Sequence, residues 1–197
     1  MSKHLRITLA LALAAALAPA AARAASSSRS GGFGNHELSL GAPIGGLDFS
    51  GLLSLEFPPS GFDVGPRLSG EIMYSALDLA PNVRLKVGGR AAFAYHSWSP
   101  NGSLWAIDAV PDVKIVVALS ELVALYGDVG LGLGVLHISN DFGYSDSTVA
   151  LTFQVGGGIA YALNRQVSLL GEVRADIYTR SGSSTFVTFP TVGLLFH

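Results

Sequence analysis

His137 and Ser139 stand two residues apart in the run His137-Ile138-Ser139-Asn140. On an extended segment residues i and i+2 share a face, so this spacing sets a base beside a hydroxyl, the pairing that acyl transfer uses. A turn that begins at Ser139-Asn140-Asp141 is the plainer reading of the same residues. A second set is larger and spread along the chain: Arg84, Lys86, Arg90, Lys114 and Arg174, with Glu71, Asp108, Asp112, Asp128, Glu172 and Asp176. Five cations against six anions can pair with one another if they face a common interior, where unpaired charge would be prohibitive. Glu172, Arg174 and Asp176 alternate closely enough to form an acid/base group, but the expectation is a structural ion network. The histidines His4, His36, His96, His137 and His197 are scattered without ligand spacing, so no metal site is assigned. Glycine runs such as Gly156-Gly157-Gly158 lack the Lys-Ser/Thr of a phosphate loop, and no cofactor is expected.

Composition narrows the classes further. The chain has 197 residues, 49 % hydrophobic and 13 % charged, with no cysteine. Such a chain is too apolar for disorder and cannot be a disulfide scaffold, a thiol enzyme or a cysteine-anchored lipoprotein. Its slightly acidic balance gives it no electrostatic reason to bind nucleic acid. The first segment reads as an export signal: Lys3, His4 and Arg6 precede an apolar stretch over 7–17, and Ala22-Arg23-Ala24 supplies the small-x-small cleavage pattern. The expected organisation is a signal peptide over 1–24, a Ser/Gly-rich flexible leader over 25–34 and one domain over 35–197.

What must position the charged residues is a set of strands. Alternation with a period of two runs through 83–95, 105–119, 125–135, 151–163 and 167–177, and less cleanly through 68–77 and 186–196. In 125–135 the odd positions are Leu125, Val129, Leu131, Leu133 and Val135, and the even ones Tyr126, Asp128, Gly130, Gly132 and Gly134. Most of these segments exceed the ~5 to 6 residues of a soluble strand and reach the ~9 to 11 that a tilted strand needs to cross a bilayer. The polar face is built of Gly, Ala and Ser interspersed with charges. Small residues are what the narrow lumen of an eight-stranded barrel demands, so the polar face is expected inward and the apolar face toward lipid.

Connections over 79–82, 120–121 and 164–166 read as tight turns, and those over 97–103, 138–147 and 179–183 as longer polar loops. Short turns belong on the periplasmic rim and loops outside. Tyr95, Trp105 and Phe186 are then expected at the outer aromatic girdle, with Tyr161 and Phe196 at the inner one. The first strand is ambiguous, because both 37–44 and 47–57 alternate; the working expectation is one long bent strand broken by a bulge at Gly45-Gly46. Pro190 in the last strand should leave the closing seam imperfectly hydrogen-bonded.

The chain resembles the small eight-stranded outer-membrane barrels of Gram-negative bacteria, the OmpA and OmpX type. The resemblance is carried by Gly130-Leu131-Gly132-Leu133-Gly134, by Gly156-Gly157-Gly158 followed by Tyr161 and the Asn164-Arg165 turn, by Glu172-Val173-Arg174, and by Val192, Leu194 and Phe196. It implies a closed antiparallel up-and-down transmembrane β-barrel in which Val192, Leu194 and Phe196 form the signal read by the barrel-insertion machinery, although here His197 follows the final aromatic residue. The His137-x-Ser139-Asn140 run is also similar to the motif of PagL-type lipid A deacylases, which implies His137 as base and Ser139 as nucleophile, but without a clear Glu as third member. The resulting expectation is a monomeric outer-membrane barrel with a lumen plugged by side chains, in contact with membrane lipid and serving envelope structure or surface interaction. A lipid A esterase and a narrow pore for small solutes are the alternatives.

Overall fold

A computed structural model describes residues 40–59, 61–98, 102–179 and 183–197. The signal, the leader and the stretch to residue 39 lie outside the described residues. Eight strands follow one another: β1 (Leu47–Phe57), β2 (Gly65–Ala80), β3 (Val83–Trp98), β4 (Gly102–Ala118), β5 (Val123–Asn140), β6 (Ser145–Ala162), β7 (Val167–Thr179) and β8 (Ser183–Phe196). Each pairs antiparallel with its sequence neighbours, and β1 pairs with β8 to close the barrel in the order β1-β2-β3-β4-β5-β6-β7-β8.

Alternation decides which face goes where. In β1 the burial alternates strictly, with Asp48, Ser50, Leu52, Ser54 and Glu56 inward and Leu47, Phe49, Leu53, Leu55 and Phe57 outward. Outside, Leu68, Leu131 and Val192 are 61 %, 56 % and 57 % exposed. A continuous belt of this kind suits lipid as its solvent, because strands paired around a closed ring leave no open sheet edge. Inward glycines make room for bulky partners. A Cβ on Gly156 would lie 3.1 Å from Cζ of Arg174, and one on Gly134 would lie 2.7 Å from the Tyr178 ring.

Four expectations need correction. The stretch before β1 does not extend the wall: Leu40 and Ala42 are 3 % exposed and turn into the end of the barrel that carries both strand termini. There the Ala42 N–H donates to Oδ1 of Asp48 at 2.8 Å, while its carbonyl accepts from Ser75 Oγ at 3.0 Å and Arg84 Nη1 at 2.5 Å. Only β1 supplies the eighth wall strand, because the side chains of β1 alternate apolar and polar while Pro43 and Gly45, with φ of 83°, bend the preceding residues. The loops are shorter than expected, since β3, β4, β5 and β6 continue through most of 97–103 and 138–147 and leave only residues 141–144 between β5 and β6. Asn140 closes that turn by accepting from the N–H groups of Phe142 and Tyr144.

The irregularity at Pro190 is not confined to the seam. Both β1–β8 and β7–β8 skip Phe189 and Pro190, and β2–β3 shifts register twice as well. Phe186 is not a girdle residue: it is 2 % exposed, inside the barrel, against Tyr178 and His96. The two-residue skip exchanges the faces of even and odd positions, so Phe186 points inward and Phe196 outward.

Candidate functional site

The interior is where the sequence's charged residues meet. Glu71, Arg84, Lys86, Arg90, Asp108, Asp112, Lys114, Asp128, Glu172, Arg174 and Asp176 are all buried, joined by Asp48, Glu56 and Arg67. Among the described residues the buried set is therefore six cations and eight anions, rather than five and six. Arg67 falls one residue before the segment read as strand from the sequence, and Asp48 and Glu56 lie in the ambiguous first strand. Extending the alternation of β2 back by one residue would have found the arginine.

The midsection is organised around two glutamates. Glu172 accepts from Arg90 Nη1 at 2.7 Å, from Arg174 Nε at 3.0 Å and from the Tyr126 hydroxyl at 3.2 Å. Glu71 accepts from Lys114 Nζ at 2.7 Å and Ser50 Oγ at 3.1 Å, and lies 3.4 Å from Arg90 Nη2. Arg174 Nη2 reaches on to Asp128 at 2.9 Å. Asp112, between Gly88 and Gly130 in register, has no hydrogen-bond partner at either carboxylate oxygen.

Toward the loop end Arg67 is the hub. Its guanidinium donates to Glu56 at 2.6 Å and to Asp108 at 2.8 Å, and Asp176 lies 3.6 Å away. Tyr178 and Gln154 also donate to Asp108, at 2.9 Å and 3.0 Å. His96 donates from Nε2 to Glu56 at 2.8 Å. Toward the terminus end Asp48 is held by Lys86, by the Ala42 amide and by His197 Nδ1 at 2.8 Å. Arg84 pairs with Asp78 at 2.7 Å. His197 also makes a 2.8 Å contact from Nε2 to Ser168 Oγ, so the last residue ties β7 to β1 across the end of β8.

Apolar side chains cap both ends of this interior. Leu40, Leu52, Val116, Ala118, Ala124, Tyr126, Ala160 and Leu170 cluster near the terminus end. Leu104, Ala150, Tyr178 and Phe186 cluster near the loops, with Phe62, Leu136 and Ile138 packed against them. Charges held between apolar layers sit where a broken partner is expensive, because neither side has water to replace it.

The rim pair is placed differently from the sequence expectation. His137 and Ser139 do share the outward face of β5, but they do not engage each other. The Nδ1 of His137 makes its hydrogen bond to Ser147 Oγ at 2.7 Å, and Ser139 Oγ lies 2.9 Å from Ser103 Oγ. Cross-strand neighbours lie ~4.5 to 5.5 Å apart, whereas i and i+2 on one strand are separated by ~7 Å, so the lateral partners win. The His137 ring stacks on Trp105 with centroids 4.8 Å apart. Among the described residues no cluster of His, Asp and Glu has the arrangement of a metal site.

Residues 7–191 match the profile of the family described as outer membrane protein beta-barrel domain. A search of curated proteins found no match. Among solved structures, neisserial surface protein A aligns with a TM-score of 0.51 at 14 % identity, over 76 % of this chain and 94 % of that one. Ail, the attachment invasion locus protein of Yersinia pestis, aligns at 0.47 and 14 %, over 76 % and 95 %. The outer membrane enzyme PagL aligns at 0.49 and 13 %, over 76 % and 99 %.

Proposed function

Because the chain belongs to the outer membrane protein beta-barrel domain family, we propose that it is a monomeric, sealed barrel of the outer membrane that serves envelope structure or surface interaction and conducts no solute. The observation that carries this reading is the filled interior: Arg67, Arg90 and Arg174 each bridge acids from different strands, between an apolar layer at each end. Opening a path would require several of these bonds to break together, each leaving a charge without water or partner. Val192, Leu194 and Phe196 face outward on β8, which suits their role as the strand that the insertion machinery reads. Purified barrel in planar lipid bilayers is expected to give no unitary conductance steps. Long-lived open steps from the wild type would replace this reading with the pore. Incubation with lipid A is expected to release no fatty acid; release that is lost in Ser139→Ala would replace it with the esterase.

A further inference from the structure

His96 has two hydrogen-bond partners that only one form of its ring can satisfy together. The ring is fully buried near the loop end of β3, and so is Glu56 beside it. Nε2 lies 2.8 Å from Oε2 of Glu56, and Nδ1 lies 3.2 Å from the main-chain carbonyl oxygen of Asp63. A carboxylate and a carbonyl only accept, so both ring nitrogens must donate. Neutral imidazole carries one N–H and imidazolium carries two.

The surroundings favour that charge. Oε1 of Glu56 accepts from Arg67 Nη1 at 2.6 Å, which keeps the carboxylate ionised and leaves the shared proton on the imidazole. The same guanidinium donates to Asp108 at 2.8 Å and has Asp176 at 3.6 Å, so three carboxylates surround one arginine. A second cation at His96 offsets part of that excess. The neighbours on the other elements are Leu104 of β4, in register with His96, Phe186 of β8, with ring centroids 5.8 Å apart, and Tyr178 of β7, edge-on to Phe186. Gly65, opposite Glu56 in the β1–β2 register, keeps the place open: a Cβ there would lie 2.8 Å from Nδ1 of His96.

The bond to Asp63 holds residues 61–64, which lead into β2 across the loop end. Phe62 packs against the apolar layer of Leu104, Tyr178 and Phe186 and meets the Trp98 ring edge-on at 5.7 Å. On the exposed side the Asp63 N–H donates to the Ser97 carbonyl at 2.9 Å, and its carboxylate accepts from Ser97 Oγ at 2.9 Å. His96 ties the same residue from within.

The geometry points to a proton-operated latch: His96, held as an imidazolium, fastens residues 61–64 over the loop end, and loss of its proton releases them. A neutral ring keeps one donor. The shorter, charge-assisted bond to Glu56 retains it, and the lone pair of Nδ1 then faces the Asp63 carbonyl oxygen. The fastening is therefore present at low pH and lost as pH rises through the titration of the ring. Arg90 and Arg174 close the midsection independently of it, so release loosens the loop-end surface without opening a path. A conducting barrel would end the sealed reading and leave the latch to its own readouts.

The test uses the full mature protein in nanodiscs. Hydrogen exchange of residues 61–64 is followed from about pH 5 to about pH 9, corrected for its intrinsic pH dependence and compared with the turn at 141–144. NMR of isotope-labelled histidine reads whether each ring nitrogen of His96 carries a proton. The expected result is two N–H groups at the acid end, protection of 61–64 that falls several-fold toward the alkaline end, and one midpoint for both changes. His96→Gln is expected to make that protection independent of pH over the same range. Should this variant fail to close, the two wild-type midpoints carry the test, with His96 assigned through the backbone. A ring with a single N–H at about pH 5, separate midpoints, or a pH dependence that survives in His96→Gln overturns the proposal.

Discussion

The two faces of one strand obey different rules, and β5 and β6 show it residue by residue. Leu131 and Phe153 point outward into a surface where any apolar side chain of similar size meets the same solvent. Gln154, one residue further along, is fully buried and spends its amide on Asp108. The lipid face is specified by class of residue, the lumen face by individual partners, because dispersion contacts are interchangeable and buried hydrogen bonds are not.

The sharpest way to test that contrast is to remove a hub. Arg67→Leu strips Glu56 and Asp108 of their shared cation, and is expected to cost about 3 to 5 kcal/mol in a denaturant titration in lipid. A loss under ~1 kcal/mol would mean that water reaches the interior. Leu131→Arg places a charge on the lipid face and should cost ~2 to 4 kcal/mol near the midplane. From the sequence alone Gln154→Glu looks milder, since it stays on the polar side. The structure reverses that: the new carboxylate would lose the bond to Asp108 and stand in register with Asp176, so a cost of about 2 kcal/mol or more is expected. If Gln154→Glu unfolds at the wild-type midpoint, the lumen is a generic polar space and the contrast fails.

A smaller effect probes the end of the chain. His197→Ala removes the bridges to Asp48 and Ser168 while leaving the outward Phe196 in place, and should cost ~1 to 2 kcal/mol. Faster hydrogen exchange along β8 than along β5 in this variant would locate the loss at the seam. Uniform exchange would assign the end of the barrel no special part in closure.

Much of this architecture was legible because strand alternation is a local property. The inward lists of β3, β4, β5 and β7 follow from period two alone, and their charged members all reach the interior. Partner identity was not legible. Arg90 meets Glu172 across 82 positions of sequence and Arg67 meets Asp108 across 41, and nothing in a neighbourhood of ten residues encodes such separations. The same limit misled the reading of the rim, where His137 and Ser139 share a face but each bonds sideways to another strand.

What the sequence by itself determined was the class of the molecule: the number of strands, the face that β3 to β7 turn outward, and the small residues that let eight strands enclose charge. Only the tertiary structure decided how that charge pairs, that residues 40–46 turn into the barrel instead of lengthening β1, and that Phe186 belongs inside. The physical reason is common to all three. Alternation reports a side chain's direction relative to its neighbours, but a bulge such as that at Phe189 and Pro190 exchanges the two faces, and which residues then meet is set by register across the whole closed ring.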